Sequence, residues 1–170
     1  MRFQYLLQLL LCVSLFTLAE SGWTWYKIWK VARNYSQKES SKWGVWRSWG
    51  WRFDYFGKNK CNLFVYDVLN EAGAKAPNRK PGKTSPIGAN EWANPRSTYV
   101  KNTGCYRVVS FRQKRGGDII AFGRYKTSGH VGIVSIGGEY ISAGDYRVVE
   151  KSIPRNSSSI FRTTVWRYTC

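Results

Sequence analysis

The sequence predicts an α+β domain, one buried helix packed on an antiparallel β-meander. Three observations predict it. An apolar helical pattern runs from Cys61 to Ala72, and five short alternating segments follow residue 117, separated by glycine turns. The single histidine, His130, falls inside one of these segments, in Gly129-His130-Val131-Gly132-Ile133-Val134. At 170 residues the chain suits one ordinary domain better than two.

The N-terminus is read apart from that domain. Arg2 precedes an apolar stretch from Tyr5 to Leu18, ending in Thr17-Leu18-Ala19, a small-residue cleavage site. The stretch is short for a membrane span, which needs about 20 residues. Residues 1–19 are therefore expected to be a signal peptide, cleaved near Ala19 or Ser21, and the protein to be secreted. Two N-x-S sites, at Asn34 and Asn156, are candidate glycosylation acceptors.

Residues 20–57 form an aromatic-rich region. Seven of the nine tryptophans lie between Trp23 and Trp51, with Tyr26, Phe53, Tyr55 and Phe56. Trp29 to Tyr35 reads as a short helix and Gln37 to Lys42 as a polar loop. The rings suit either an aromatic lid over a small core or a platform for sugar or a membrane interface. Core filling is the favoured role, and some rings can serve both.

Residues 58–170 are read as the catalytic domain. Phe64, Val68 and Ala72 recur at i, i+4 and i+8, Val65 and Leu69 form the adjacent row, and Gly73 is a natural stop. Residues 74–104 carry four prolines and read as a long irregular connection lining a cleft, with Trp92 as its apolar anchor. The expected strands are Asp118 to Phe122, His130 to Ile136, Glu139 to Ser142, Tyr146 to Ile153 and Phe161 to Tyr168. Gly137-Gly138 and Gly144-Asp145 supply the hairpin turns.

The chemistry follows from few residues. A thiol at a helix N-terminus meets unpaired amides and the positive end of the dipole, which favour the thiolate. His130 is the only imidazole available as its base. If residues 1–19 are removed, Cys12 goes with them, leaving Cys61, Cys105 and Cys170. Three is odd, so an oxidising compartment leaves one thiol free. If Cys61 is the nucleophile, Cys105–Cys170 is the implied disulfide; another pairing would leave a different thiol. One histidine cannot build an ordinary zinc site, and no phosphate-binding glycine loop is present, so neither metal nor cofactor is expected.

Asn59-Lys60-Cys61-Asn62-Leu63-Phe64-Val65-Tyr66-Asp67-Val68-Leu69 resembles the nucleophile helix of NlpC-type cell-wall cysteine peptidases, a papain-like superfamily that includes the CHAP amidases. Gly117-Asp118-Ile119-Ile120-Ala121-Phe122 and Gly129-His130-Val131-Gly132-Ile133-Val134 resemble their histidine strands. Asn90-Glu91-Trp92-Ala93-Asn94-Pro95 is similar to a segment of secreted members. The resemblance implies a papain-like fold, Cys61 as nucleophile, His130 as base, and a peptide or amide bond of peptidoglycan as substrate. It also implies the Cys61 amide as an oxyanion donor, with Tyr55 and Trp92 as further oxyanion or substrate candidates.

The residue that orients the imidazole in that family falls at Ser142 here. Strand parity offers a rival. A two-residue turn at Gly137-Gly138 puts Asp145 on the face of His130, whereas a three-residue loop puts Ser142 there. The resemblance favours Ser142. Lys60 and Asn62-Leu63 stand where many members have Asp and Ser-Gly, so which bond is cut stays open.

The net charge of +17 attracts polyanions, and loss of residues 1–19 lowers it by only one. The basic residues are spread out with no run that makes a nucleic-acid arm. Expected partners are peptidoglycan or its peptide stems and anionic wall polymers, with the protein a monomer. The leading expectation is a secreted cysteine peptidase or amidase acting on bacterial peptidoglycan. Alternatives are a cationic, Trp-rich antibacterial protein that binds wall or membrane without hydrolysis, and a papain-like-fold lipid acyltransferase.

Overall fold

The computed structural model describes residues 23–125, 127–154 and 157–170. The expected signal peptide, Cys12 and Asn156 lie outside the described residues.

Residues 23–37 are helical (α1), a longer helix than the Trp29–Tyr35 expected. Ile28 and Ala32 are buried, with Val31 and Tyr35 packed beside them, so the stripe follows the helical i, i+3, i+4, i+7 spacing. Trp25 lies against the Gly116-Gly117 turn, where φ is +84° at Gly117 and any side chain would strike the Trp25 carbonyl. That glycine pair therefore does more than turn the chain. It lets α1 dock.

Helix α2 spans Cys61–Glu71 and buries Cys61, Leu63, Phe64, Val65, Val68 and Leu69. It ends where expected, with Gly73 in the left-handed region (φ +75°). The long connection is less irregular than its prolines imply. It holds two single-turn helices, α3 (Ala89–Trp92) and α4 (Thr98–Lys101).

Six antiparallel strands form one sheet: β1 Tyr106–Val109, β2 Ile119–Arg124, β3 His130–Val134, β4 Glu139–Ala143, β5 Val148–Ser152 and β6 Ile160–Tyr168. Their order is β1-β6-β2-β3-β4-β5. The expected meander holds for β2 to β5 only. Strand β6 crosses back to pair with β2 on one side and β1 on the other. The structure thus adds a strand, β1, in a stretch to which the sequence analysis assigned no element. Its pairing covers an edge of β6 that would otherwise offer unpaired backbone groups.

Alternate residues of the sheet divide the core in two. Ile119, Ala121, Val131, Ile133, Ile141 and Ala143 join the core with α2, while Ile120, Phe122, Val134, Tyr140 and Val165 form a second cluster. Asp118, fully buried, accepts both Nε and an Nη of Arg167 and the amide of Arg115. A bidentate Arg–carboxylate bond therefore pins β6 to the start of β2. The Cys105–Cys170 disulfide ties the start of β1 to the C-terminus. No helix among the described residues is long and apolar enough to cross a membrane.

The tryptophans split by role. Trp29, Trp43 and Trp49 are buried, whereas Trp23, Trp46 and Trp51 are exposed, Trp51 at 86%. The indole N–H groups of Trp43 and Trp49 both donate to Oδ2 of Asp67, at 2.9 and 3.1 Å, and Lys42 pairs with the same oxygen at 3.2 Å. One carboxylate in the middle of α2 thus anchors the aromatic region to the helix. Replacing Asp67 with Ala leaves two buried donors without an acceptor, each worth about 1–3 kcal/mol. Chemical denaturation of Asp67→Ala should show a loss of roughly 2–4 kcal/mol; a change under about 0.5 kcal/mol would contradict this anchoring role.

Candidate active site

The N-terminus of α2 and the start of β3 meet at one end of the sheet. A cavity of about 240 Å³ there is lined by Asn59, Cys61, Arg124, Gly129, His130, Ala143, Gly144, Asp145 and Lys151. Cys61, His130 and Asp145 therefore share one cavity. No hydrogen bond joins Cys61 to the His130 ring, and His130 Nε2, which is buried, has no hydrogen-bond partner among the described residues. In unliganded enzymes such contacts are often loose.

Local structure explains these placements. Gly129 has φ +74°, and a side chain there would collide with Asn90 Oδ1 and the Phe122 carbonyl. Asn90, just inside α3, donates to the Thr127 carbonyl (3.0 Å) and accepts from the Arg124 amide (3.4 Å). It holds the β2–β3 connection that carries Arg124 and His130. Asn90 was not foreseen as a site residue; its only mark in the sequence was its membership of Asn90-Glu91-Trp92-Ala93-Asn94-Pro95.

Lys60 precedes the thiol but points into the protein, 1% exposed. Its Nζ donates to the carbonyls of Gly44, Val45 and Lys58 at 3.1, 3.0 and 2.9 Å. Burial pushes its pKa down. The Val45 amide in turn donates to the Asp145 carbonyl at 2.6 Å. Lys60 and Val45 thus join the aromatic region, α2 and the β4–β5 turn.

The loop after β3 has three residues, Ile136 to Gly138: Val134 pairs with Tyr140, and the Ser135 amide donates to the Glu139 carbonyl at 2.8 Å. By parity, Ser142 lies on the face of His130. Its hydroxyl, however, donates to the Val131 carbonyl at 2.7 Å and makes no bond to the ring. Asp145 lines the cavity, also without bonding the ring. The neighbour that does pack on the imidazole is Tyr140, edge to face, with centroids 5.8 Å apart. Gly132 leaves room for it, since a side chain there would meet the Tyr140 ring at 2.7 Å.

The two remaining candidates sit elsewhere. Tyr55 packs on Trp49 and under Arg52, outside the cavity. Trp92 is a core residue, 2% exposed, packed on Tyr106, and its carbonyl accepts the Trp166 indole N–H at 2.7 Å. It anchors the connection without reaching the cavity. Among the described residues no group of three His, Cys, Asp or Glu could hold a metal ion.

The electrostatics are lopsided. Burial pushes the Cys61 thiol pKa up, while the backbone amides of Val131, Asn62 and Cys61 and the charge of Arg124 pull it back. Burial also pushes His130 down to about 4, helped by the positive charges of Lys151 and Arg124. At neutral pH the imidazole is therefore an uncharged acceptor, the form a general base needs.

Two consequences can be measured. Because the chain holds one histidine, its imidazole NMR titration is unambiguous. It should give a value near 4, and Lys151→Gln should raise it by only part of the gap to 6.5, because burial is the larger cause and remains. The unfolded chain takes up this proton first, so the stability due to the neutral ring is whole above about pH 6.5 and is lost as pH falls toward 4. A titration near 6.5, or one unmoved by Lys151→Gln, would contradict this reading.

No family model matches the sequence, and no curated protein matches it. Two solved structures are similar in fold. One is Rv1477, a hypothetical invasion protein of Mycobacterium tuberculosis, with a TM-score of 0.56 and 18% identity. The other is the resuscitation promoting factor interacting protein RipA, in a cysteine-mutated form, with a TM-score of 0.53 and 20% identity. In each comparison 88% of this chain is covered, and it spans 64% of the other chain, less than two thirds. The likeness is one of fold: the chain shares the α+β architecture of these two structures.

Proposed function

We propose that this protein is a secreted cysteine peptidase or amidase that hydrolyses peptide or amide bonds of bacterial peptidoglycan. The observation that carries this is the shared cavity: the sole free thiol among the described cysteines and the only histidine of the chain border it together. The motif resemblance supplies the substrate class, and the NlpC-like fold supports the motif assignment. The disulfide suits an oxidising, extracellular setting.

His130 takes the proton from Cys61 Sγ, and the thiolate attacks the carbonyl carbon of the scissile amide. The oxyanion of the tetrahedral intermediate draws on the Cys61 amide. The C–N bond breaks as the imidazolium returns the proton to the departing amine, leaving a thioester on Cys61. Water, deprotonated by His130, then attacks the thioester and releases the carboxylic acid and the thiol. Ser142 acts as a positioning residue through the Val131 carbonyl, beside the ring, while Asp145 faces the same cavity. Residues 1–19 direct secretion, residues 20–57 pack on the catalytic domain of residues 58–170, and the basic surface holds the monomer to anionic wall polymers.

A second reading has its own observation. Trp46, Trp51, Phe53 and Phe56 are exposed beside Arg47 and Arg52, a surface fit for wall or membrane binding without hydrolysis. The lipid acyltransferase reading gains nothing from a cavity lined by Asn59, Arg124, Asp145 and Lys151.

Purified sacculi separate these readings. Wild-type protein should release muropeptides, Cys61→Ala should release none, and His130→Ala should be slower by at least about a hundredfold. Wild type and Cys61→Ala giving the same absence of products would end the hydrolase reading. Growth inhibition retained in full by both variants would favour the binding reading.

A further inference from the structure

We propose that the turn Trp49–Arg52 and the aromatic segment around it dock on an anionic lipid bilayer. Trp51 and Phe53 enter the interface, and Arg47, Lys58 and Lys83 meet the headgroups. This narrows the binding reading above to one partner and needs no hydrolysis.

Trp51 is exposed because the backbone is built to present it. The Arg52 amide donates to the Trp49 carbonyl at 3.1 Å and the Trp49 amide to the Arg52 carbonyl at 3.3 Å, closing a two-residue hairpin over Gly50-Trp51. Gly50 has φ +59° at the first central position, where such a turn favours glycine. Ser48 Oγ donates to the Gly50 carbonyl at 3.1 Å. Both ends are fastened: the Trp49 indole donates to Asp67, and the Arg52 guanidinium donates to the Asp54 carboxylate and to the Thr84 carbonyl. A well-held turn therefore carries a tryptophan 86% exposed at its tip.

The neighbouring rings extend this surface. Phe53, 77% exposed, lines with Trp51 a groove of about 860 Å³. Trp46 and Phe56, each more than half exposed, pack on each other with centroids 5.8 Å apart. Trp43 and Trp49 are buried with their indole N–H groups bonded, whereas those of Trp46 and Trp51 have no acceptor among the described residues. Large exposed apolar groups so close together mark an interaction surface. An apolar ring with a free N–H suits the boundary between lipid and water.

Charge and the state of the polar groups select the partner. Residues 42–58 hold Lys42, Arg47, Arg52 and Lys58 against one carboxylate, Asp54. Arg47, Lys58 and Lys83 are exposed, and Lys83 lines the groove. Cations beside apolar rings complement an anionic bilayer. A sugar would ask for free polar groups next to the rings, and the carboxylates of the groove are engaged. Oδ2 of Asp67 takes both indoles and Lys42, and both oxygens of Asp54 take Arg52. Asn59, directly after Lys58, lines the Cys61 cavity, so docking holds that cavity close to the bilayer.

The test measures co-sedimentation with vesicles of phosphatidylcholine alone and of phosphatidylcholine mixed with phosphatidylglycerol. Every protein compared has the same N-terminus, so any affinity of residues 1–22 for lipid is common to all. The wild type should partition onto the anionic vesicles at least about tenfold more strongly than onto the neutral ones. Trp51→Ser with Phe53→Ser should weaken that binding by about thirty- to a hundredfold, with thermal unfolding unmoved because both rings are exposed. Arg47→Gln with Lys58→Gln should weaken binding to the anionic vesicles by about ten- to thirtyfold. Tyr125→Ser, at a residue 61% exposed outside the segment, should change nothing. A wild type that ignores anionic vesicles, or full vesicle binding by Trp51→Ser with Phe53→Ser, would overturn the proposal. If that double variant keeps its vesicle binding and loses binding to lipid-free sacculi, the surface belongs to the wall. The readout involves no turnover, so this proposal and the hydrolase reading can each fail without the other.

Discussion

The packing of α2 across β3 and β4 is the constraint on which the site depends. Leu63, Phe64, Val65, Val68 and Leu69 share one core with Val131, Ile133, Ile141 and Ala143, and that contact fixes where the helix begins. Burying these side chains is worth about 1.5–3 kcal/mol each, so the helix cannot slide without a large loss. Its first residue, Cys61, is held over the start of β3, the strand that opens with His130. The aromatic region locks the arrangement from outside, through Asp67 to two indoles and through Lys60 to three carbonyls. A thiol and an imidazole sixty-nine positions apart in sequence are thereby brought to one cavity by ordinary core packing.

The charge of the molecule acts on two scales. At long range, a net +17 draws any anionic polymer toward the surface. Within the cavity, burial keeps the imidazole neutral with help from Lys151 and Arg124, while Arg124 also eases ionisation of the thiol. The cavity therefore holds a neutral imidazole and a buried thiol, whose burial favours its protonated form.

Much of this was legible in the residues. The period of α2, the glycine turns and the strands β2 to β6 follow from apolar spacing; His130 stood out as the only histidine, and Cys61 as the cysteine at the front of a helix. Strand β1 was not legible: Tyr106–Val109 is short, two of its four side chains are exposed, and it becomes a strand only by pairing with β6. The crossing of β6 back to β2 is a tertiary choice, set by Asp118 with Arg167 and by the docking of Trp166 on the Trp92 carbonyl. The turn after β3 needed one backbone bond, Ser135 to Glu139, to fix its length. Tyr140 and Asn90 were missed as neighbours of His130 because neither residue type announces a packing or loop-clamping role. Lys60 read as a substituted recognition position, yet it is an internal tether.

The central claim is that Cys61 attacks a wall amide with His130 as its base, and capture of the intermediate tests it most directly. Rapid acid quenching of the protein with soluble wall fragments, followed by intact and peptide mass spectrometry, reads the covalent state of the thiol. The account predicts an acyl adduct on Cys61 during turnover, absent in Cys61→Ala and greatly reduced in His130→Ala. Turnover with Cys61 unmodified throughout, or an acyl group carried by another residue, would contradict it.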